Sequence, residues 1–244
     1  MIEKRLPAFI SSPQTAFGSL QYFWGNIPAL DLLNIKGNEG EESIMRRDVA
    51  LLFAASGDLR NVVKTIVGLP ESYAGNCTVV VNDFNVAIVG RNVMMLLSAL
   101  HFEPEFAVPI ILHLWYSAML PQTILQALRD GILPYIRDVC NRIEDKPENS
   151  IQAKTFEIGG SSVRLVLKKC EWVALMMMFE VPVGLGAPEA QLIRRAVTTA
   201  RIDHIDRSIY KMSPGRRAGA IDFRKHGVLL PFGASRKDFA MPNP

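Results

Sequence analysis

Residues that build disulfide or metal sites are scarce in this sequence. Its 244 residues include three cysteines, Cys77, Cys140 and Cys170. An odd number at such wide spacing argues against a disulfide framework and against a structural zinc site. The four histidines are not spaced like the ligands of a metalloprotease. We therefore expect a reducing compartment and no bound metal.

Long apolar runs and concentrated charge are also missing. The longest apolar stretch, 107–120, is interrupted by His113 and Ser117 and is shorter than the ~20 residues of a membrane helix, so it predicts a buried helix. The formal charge of +3 is spread along the chain, unlike the basic stripe of a nucleic-acid-binding protein. The amino terminus lacks the apolar core of a secretory signal. These absences predict a cytoplasmic protein that binds neither nucleic acid nor membrane.

Two motifs of common enzyme classes are absent as well. The sequence has no Gly-x-Ser-x-Gly elbow of a hydrolase and no phosphate-binding loop of an NTPase. With 49% hydrophobic and 21% charged residues, the chain instead has the composition of an ordinary globular protein. We predict no catalytic residue.

What the first half does contain is a strand, a helix, a second strand and a second helix. The apolar run 48–56 predicts a central parallel strand covered on both faces. Apolar residues recur at helical spacing over 59–67, and a β-branched run follows at 77–81. A second helix is predicted over 86–100. This order is typical of an α/β fold with parallel strands and right-handed crossovers.

We divide the sequence into a predicted first part, 1–145, which contains this α/β unit, and a predicted second part, 151–244. An apolar block at 20–33 is expected to pack on the first part, and a helical insertion is predicted over 104–145. Breaks in that insertion are expected at Pro109, Pro121, Gly131 and Pro134.

The polar, proline-containing segment 146–150 is the candidate linker. Beyond it, two alternating runs around a glycine turn predict a β-hairpin with strands 154–158 and 163–167. The remainder predicts a helix-rich carboxyl-terminal part packed on the first. Its helices are expected at 169–179, 188–197, 204–211 and 216–226, the last closed by Gly227.

Polar residues follow both predicted parallel strands, which makes their ends the candidate binding site. The unit resembles the start of a nucleotide-binding or methyltransferase-like Rossmann sheet. In such sheets a glycine turn lets the backbone approach the ligand, and an acid after strand two binds the ribose hydroxyls. We take Ser56, Gly57, Asp58 and Asp83 as candidate cofactor-binding residues. The possible cofactor is S-adenosylmethionine.

Other interpretations of these residues stay open. The turn has one glycine where the fingerprint has three, so Leu59 and Arg60 would crowd a ligand. Asp58 also fits the N-cap of the following helix, where its carboxylate would accept free amide hydrogens. Asp83 also fits a solvated turn. Outside the turn, His113 has the surroundings of a hydrogen-bonded core residue rather than a catalyst.

Two longer motifs carry a family resemblance. The first motif is Phe-Trp-Gly-Asn-Ile-Pro-Ala-Leu-Asp-Leu-Leu at 23–33, and the second is Asp-Val-Ala-Leu-Leu-Phe-Ala-Ala-Ser-Gly-Asp-Leu-Arg-Asn-Val-Val-Lys-Thr-Ile at 48–66. Both resemble the N-terminal domain of the dynein axonemal assembly factor three family. A closer resemblance is to uncharacterised fungal proteins with this domain, some of which add a MYND-type zinc finger. The residues that match the family's turn, the end of its first helix, the end of its second strand and its arginine are Gly57, Asp58, Arg60, Lys64, Thr65, Asn82, Asp83 and Arg91.

The resemblance implies a methyltransferase-like Rossmann domain without demonstrated catalysis and, for the dynein factor, a cytoplasmic role in assembling dynein arms. We therefore expect a non-catalytic interaction or assembly module with a protein partner. The alternative is an S-adenosylmethionine-binding protein or methyltransferase. Three cysteines are too few for a MYND finger, and a chain that stops at Pro244 is expected to be a stand-alone or truncated family member.

Overall fold

The computed structural model describes residues 14–15, 18–19, 23–25, 27–38, 40–199, 209–231 and 233–243. The described elements are, in chain order, β1 (Gln14–Thr15), β2 (Gly18–Ser19), α1 (Glu41–Ile44), β3 (Val49–Ala54), α2 (Arg60–Val67), β4 (Cys77–Asn82), α3 (Val86–His101), α4 (Pro104–Tyr116), β5 (Met119–Pro121), α5 (Gln122–Gly131), α6 (Leu133–Arg142), β6 (Ile151–Ile158), β7 (Ser161–Lys168), α7 (Lys169–Met177), α8 (Ala187–Thr199), α9 (Pro214–His226) and β8 (Phe239–Pro242). The fold is thus mixed α/β. Within these residues the strands form pairs: β1 with β2, β3 with β4, β5 with β8 and β6 with β7.

Strands β3 and β4 are parallel, as the order β3-α2-β4-α3 predicts. Their register pairs Val49 with Cys77 and Ala54 with Asn82, so both strands end at the same level. The predicted βαβα unit is therefore confirmed. The described residues add no third strand to this sheet, so what is established is a parallel pair.

The expectation that this strand is covered on both faces is wrong. Phe53 is buried in a cluster that includes side chains from α2 and α3, and Leu51 packs against it. The alternate positions point the other way, and Leu52 and Val80, which are register partners, are 66% and 51% exposed. Because the buried helix side chains gather on one side of the pair, the described residues leave its other face open.

Helix α3, which the sequence predicted over 86–100, is the central element and is buried on several sides. It packs against α4 and α7 and also contacts α5 and β7. Polar side chains therefore lie inside the protein along with the apolar ones, which sequence periodicity did not indicate. The buried residues of α3 are Ile88, Gly90, Arg91, Asn92, Val93, Met94, Met95, Leu97 and Ser98.

The predicted helical insertion is present as α4, α5 and α6, with one correction. A break was expected at Pro109, but α4 continues through this residue. Ala107, Ile110 and Leu114 are buried on either side of it, and this packing outweighs the single backbone hydrogen bond that proline removes. Strand β5, which lies between α4 and α5 and pairs with β8 near the carboxyl terminus, was not predicted.

The predicted β-hairpin is confirmed, with longer strands than expected: β6 and β7 pair antiparallel around Gly159 and Gly160. Segment 146–150 is tied to α7 by backbone hydrogen bonds, including that from Lys169 to Ser150. One cluster of buried residues includes Phe53 and Leu97 from the first part and Trp172 from the second. The domain boundaries themselves stay a prediction.

The carboxyl-terminal helices lie close to the predicted positions. Gly227 is the C-cap of helix α9. Its φ of 69° is left-handed, and its amide donates to the carbonyl of Phe223. Most of the helix predicted over 204–211 lies outside the described residues. In the described part of the chain, no helix is both long and apolar enough to cross a membrane.

Candidate functional site

The carboxyl ends of β3 and β4 bring most of the predicted site residues together. The amide of Ser56 donates to the carbonyl of Asn82, and the amide of Gly57 donates to Oδ2 of Asp83; both donor–acceptor distances are 2.9 Å. The other carboxylate oxygen of Asp83 accepts the amide of Asn85 at 2.9 Å. Ser56, Gly57 and Asp83 thus form one connected turn at the edge of the parallel pair.

The turn after β3 has a left-handed backbone. Ala55 has a φ of 50° and Gly57 a φ of 58°, a region that residues with a side chain adopt at a cost. At Gly57 the space that a Cβ would enter is empty for 4 Å. The backbone of the turn is therefore open to an approaching group on the Gly57 side.

Asp58 binds other groups than Asp83 does. It is 6% exposed, its Oδ2 accepts the amide of Gly25 at 2.9 Å, and its carboxylate pairs with Arg60 at 2.7 Å. The carboxylate also accepts the first helical amide, that of Arg60, at 3.2 Å. The N-cap position is occupied by Leu59, so the N-cap interpretation of Asp58 is wrong by one residue. From the position before the N-cap, its carboxylate still reaches the amide of Arg60 and also binds the amide of Gly25.

The sequence suggested that Leu59 would crowd a ligand at the turn, but the structure places Leu59 elsewhere. It is 2% exposed and belongs to the buried core cluster. Arg60 does lie beside the turn, where its Nη1 donates to the carbonyl of Ile27. The cofactor-binding role of Ser56, Gly57, Asp58 and Asp83 stays a prediction.

The segment around Gly25 is part of a strap, residues 23–25 and 27–33, that is bound along α2 by side chains. The amide of Gly25 donates to Asp58. In the same way, the amide of Leu30 donates to the side chain of Asn61 and the amide of Leu32 donates to the hydroxyl of Thr65, each at 3.0 Å.

The acceptors at 58, 61 and 65 are spaced three and four residues apart, so they lie on one side of the helix. The sequence analysis did not single out Asn61, and it matched Thr65 to the family without giving it a binding role. Their polar spacing within an apolar helix is the signal that was available.

This strap also explains which face of α2 is buried. Of the five apolar residues that mark the predicted face, Leu59 and Val62 are buried, whereas Val63, Ile66 and Val67 are 44%, 45% and 74% exposed. Thr65 is buried instead, at 1% exposure, because its hydroxyl accepts a hydrogen bond from the strap.

Asn92, in the second turn of α3, was also missed. It is 4% exposed, and its side-chain amide donates to the carbonyl of Gly57 at 2.7 Å. At the start of the same helix the side chain of Asn85 accepts the amides of Ala87 and Ile88, as an N-cap residue does. The glycine turn is thus held at its amide by Asp83 and at its carbonyl by Asn92.

A group of aromatic rings adjoins the turn. Trp24 lies 6.0 Å from Tyr116, and Tyr116 stacks on Trp115 at 5.4 Å between ring centres. Burial first, and then the negative charge of Asp58, raise the pKa of the Tyr116 hydroxyl. Below this group, Phe23 lies over the guanidinium of Arg91, with 4.3 Å between the ring centre and Cζ.

Among the described residues, no metal-ligand group and no histidine contributes to this site. Where the structure describes the chain, no three His, Cys, Asp or Glu side chains are grouped to hold a metal ion. His113 lies on α4, with 3.0 Å between its Nδ1 and the hydroxyl of Ser117, and its ring contacts Phe239 edge-on. Its hydrogen-bonded, half-buried state is the one that the sequence favoured.

Comparison with known proteins agrees with the extent of this region. A family model described as a domain of unknown function (DUF4470) matches residues 23–120, a range that runs from the strap to β5. No curated protein matches the chain. No solved structure matches it either.

Proposed function

We propose that this protein is a non-catalytic interaction or assembly module, of the kind implied by its resemblance to the dynein arm preassembly factors, and that a protein partner covers the open face of the parallel pair. The observation that carries the proposal is the exposure of Leu52 and Val80 on that face, 66% and 51%. The two residues are directly opposite each other in the register, so they form one continuous apolar surface.

Parallel strands support this interpretation because they rarely leave a face in water. In parallel sheets both faces are normally covered, and the strands are correspondingly apolar throughout. Here Ala50 and Ala54 flank Leu52 on the same exposed face. Exposed apolar surface of this kind is typical of interaction sites, which supports the proposal, and the matching surface on the partner would be apolar too.

The state of the β3–α2 turn supports a non-catalytic role. The carboxylate of Asp58 is engaged by Gly25 and Arg60, and that of Asp83 by the amides of Gly57 and Asn85. Both acids therefore have structural partners within the chain. Neither is left as an unpaired general base.

The test is a pull-down of partners from the native cell, in which surface variants locate the binding face. The whole chain serves as bait beside Leu52→Glu and Val80→Glu, with Val166→Glu as the matched control, since Val166 is a 56%-exposed apolar residue on the β6–β7 hairpin. We expect one stoichiometric partner that the first two variants lose and the control retains. A partner retained by Leu52→Glu and Val80→Glu, or no partner for the wild-type chain, would contradict the proposal.

A second candidate is an S-adenosylmethionine-binding protein or methyltransferase on a methyltransferase-like Rossmann sheet that begins with β3 and β4. The observation that favours it is the open space in front of Gly57, next to the carboxylate of Asp83. Open α/β sheets bind ligands in the crevice at the carboxyl ends of their strands, and these two residues lie there.

Calorimetric titration separates the two candidates. S-adenosylmethionine and S-adenosylhomocysteine are titrated into the wild-type chain, Asp83→Ala and Asp48→Ala. Asp48 is the control because it also accepts a backbone amide, that of Asn76, but at the opposite end of the strands. Binding lost in Asp83→Ala and kept in Asp48→Ala favours the cofactor-binding candidate, and the absence of binding to the wild-type chain removes it.

A further inference from the structure

Arg91 is a buried cation without an acidic partner. It lies on α3 and is 7% exposed. Its Nη1 is 3.5 Å from the carbonyl oxygen of Trp115, a long hydrogen bond, and its Nε has no partner. In the described part of the chain no carboxylate pairs with it, and burial lowers its pKa to about 10. Buried charges in proteins are normally paired, so this one has an unfilled requirement for an anion.

The residue that Arg91 contacts has an unfilled requirement of the same kind. The indole Nε1 of Trp115 is also buried and has no hydrogen-bond partner. A buried N–H group without an acceptor is costly and uncommon in folded proteins. The Nε–H of Arg91 and the indole N–H of Trp115 are thus two buried donors without an acceptor oxygen, on residues that meet at the Trp115 backbone carbonyl.

Phe23 covers the guanidinium of Arg91. Its ring centre lies 4.3 Å from Cζ, which is a cation–π contact. The ring belongs to the strap, which is attached to α2 beyond this point through Gly25 and Asp58. An oxyanion satisfies a guanidinium better than an aromatic face does, because charge-assisted hydrogen bonds are the stronger interaction.

We propose that Arg91 and Trp115 form a binding site for the oxyanion of a small molecule, a carboxylate or phosphate group, and that Phe23 covers this site when it is empty. Binding displaces the Phe23 ring, and the oxyanion accepts hydrogen bonds from the Arg91 Nε–H and the Trp115 indole N–H. The site uses other residues than the open strand face and the Asp83 turn. It is therefore independent of the function proposed above.

The test follows side-chain N–H resonances of the whole ¹⁵N-labelled chain by NMR. Sodium acetate and sodium phosphate are titrated separately at constant ionic strength, and Arg91→Lys and Trp115→Phe identify the two signals. The indole of Trp172, which already donates to the carbonyl of Gln152, is the internal control. We expect the Arg91 and Trp115 signals to shift together and saturably, with one dissociation constant, while the Trp172 signal stays in place.

Variants of Phe23 separate this site from a purely structural arginine. Without the competing ring, Phe23→Ala should bind the anion roughly 3- to 30-fold more tightly, the range that a cation–π contact corresponds to. Phe23→Leu, which keeps an apolar side chain, should also bind more tightly, and an unchanged Trp172 signal verifies that each variant is folded.

The better ligand of the two shows whether the site takes carboxylates or phosphates. A dissociation constant at the Trp115 signal that is the same in Arg91→Lys as in the wild-type chain would overturn the proposal, as would equal affinities of Phe23→Leu and the wild-type chain. The proposal would also be overturned if the Arg91 and Trp115 signals shifted only at anion concentrations that also shift the Trp172 signal, or did not shift at all.

Discussion

The backbone amide of Gly57 donates a hydrogen bond to the carboxylate of Asp83, with 2.9 Å between N and Oδ2, although 26 positions separate the two residues. This bond joins the turn after β3 to the turn after β4. The second oxygen of Asp83 accepts the amide of Asn85, the N-cap residue of α3. One side chain therefore connects both parallel strands with the central helix.

Asp83→Ala should lower the free energy of unfolding by about 1–3 kcal/mol whether or not a ligand binds, because two backbone amides lose their acceptor. Urea denaturation monitored by circular dichroism measures the change. Asp83→Asn retains one oxygen acceptor of the same size and should lose less. Equal stability of Asp83→Ala and the wild-type chain would show that water replaces the carboxylate at no cost.

Asp58→Ala should detach the start of the strap from α2. The change removes the acceptor of Gly25 and leaves Arg60 without its carboxylate. We expect a loss of about 2–3 kcal/mol, below the usual cost of breaking a fully buried pair because the side chain of Arg60 is 18% exposed. Urea unfolding and the rate of proteolysis within residues 23–33 report the effect.

The matched control for Asp58→Ala is Asp138→Ala, which breaks an exposed pair with Arg142 and should cost less than about 0.5 kcal/mol. If proteolysis within the strap were no faster in Asp58→Ala than in Asp138→Ala, Asp58 would not be what holds this segment.

Asn243→Ala should loosen the end of α4. The side-chain amide of Asn243 donates to the carbonyls of His113, Leu114 and Ser117. The carbonyl of His113 also accepts the amide of Ser117, but carbonyls at a helix end, such as that of Leu114, otherwise lack an intrahelical partner. We expect a loss of about 1–3 kcal/mol in the free energy of unfolding. Asn243→Asp should lose more, because a carboxylate would face the same carbonyl oxygens. A smaller loss for the aspartate than for the alanine would contradict this account.

Stability should fall as His113 becomes protonated. Burial lowers the pKa of His113 in the folded protein below its ordinary value of 6.5, so the unfolded chain binds the proton more readily than the folded one. The contribution of the neutral ring is present above pH ~6.5 and is lost as the pH falls below that value. Its neighbours, the hydroxyl of Ser117 and the ring of Phe239, carry no charge that would stabilise the imidazolium.

Urea unfolding from about pH 7.5 to about pH 5.5, on either side of an ordinary histidine pKa, measures this dependence. His113→Gln should be less sensitive to pH than the wild-type chain. His226→Gln is the control, because the pKa of His226 is also lowered but this side chain is 32% exposed, and it should change the pH dependence less. An identical pH dependence in His113→Gln and the wild-type chain would assign the effect to other groups.

The sequence by itself determined the local elements of this protein. Apolar and β-branched runs with their polar ends predicted the order β3-α2-β4-α3, and a glycine turn between alternating runs predicted the hairpin. Gly227 ends α9 as expected, because only a residue without a side chain readily takes a left-handed cap. Ser56, Gly57 and Asp83 could be placed together because parallel strands end at the same edge.

Only the tertiary structure decided which faces are buried and which distant groups meet. The partner of Asp58 is 33 positions away, at Gly25, and the open face at Leu52 depends on which helices pack against the pair. Helix α4 continues through Pro109 because its neighbours bury the residues around it. These outcomes depend on contacts between distant parts of the chain, and local periodicity does not contain them.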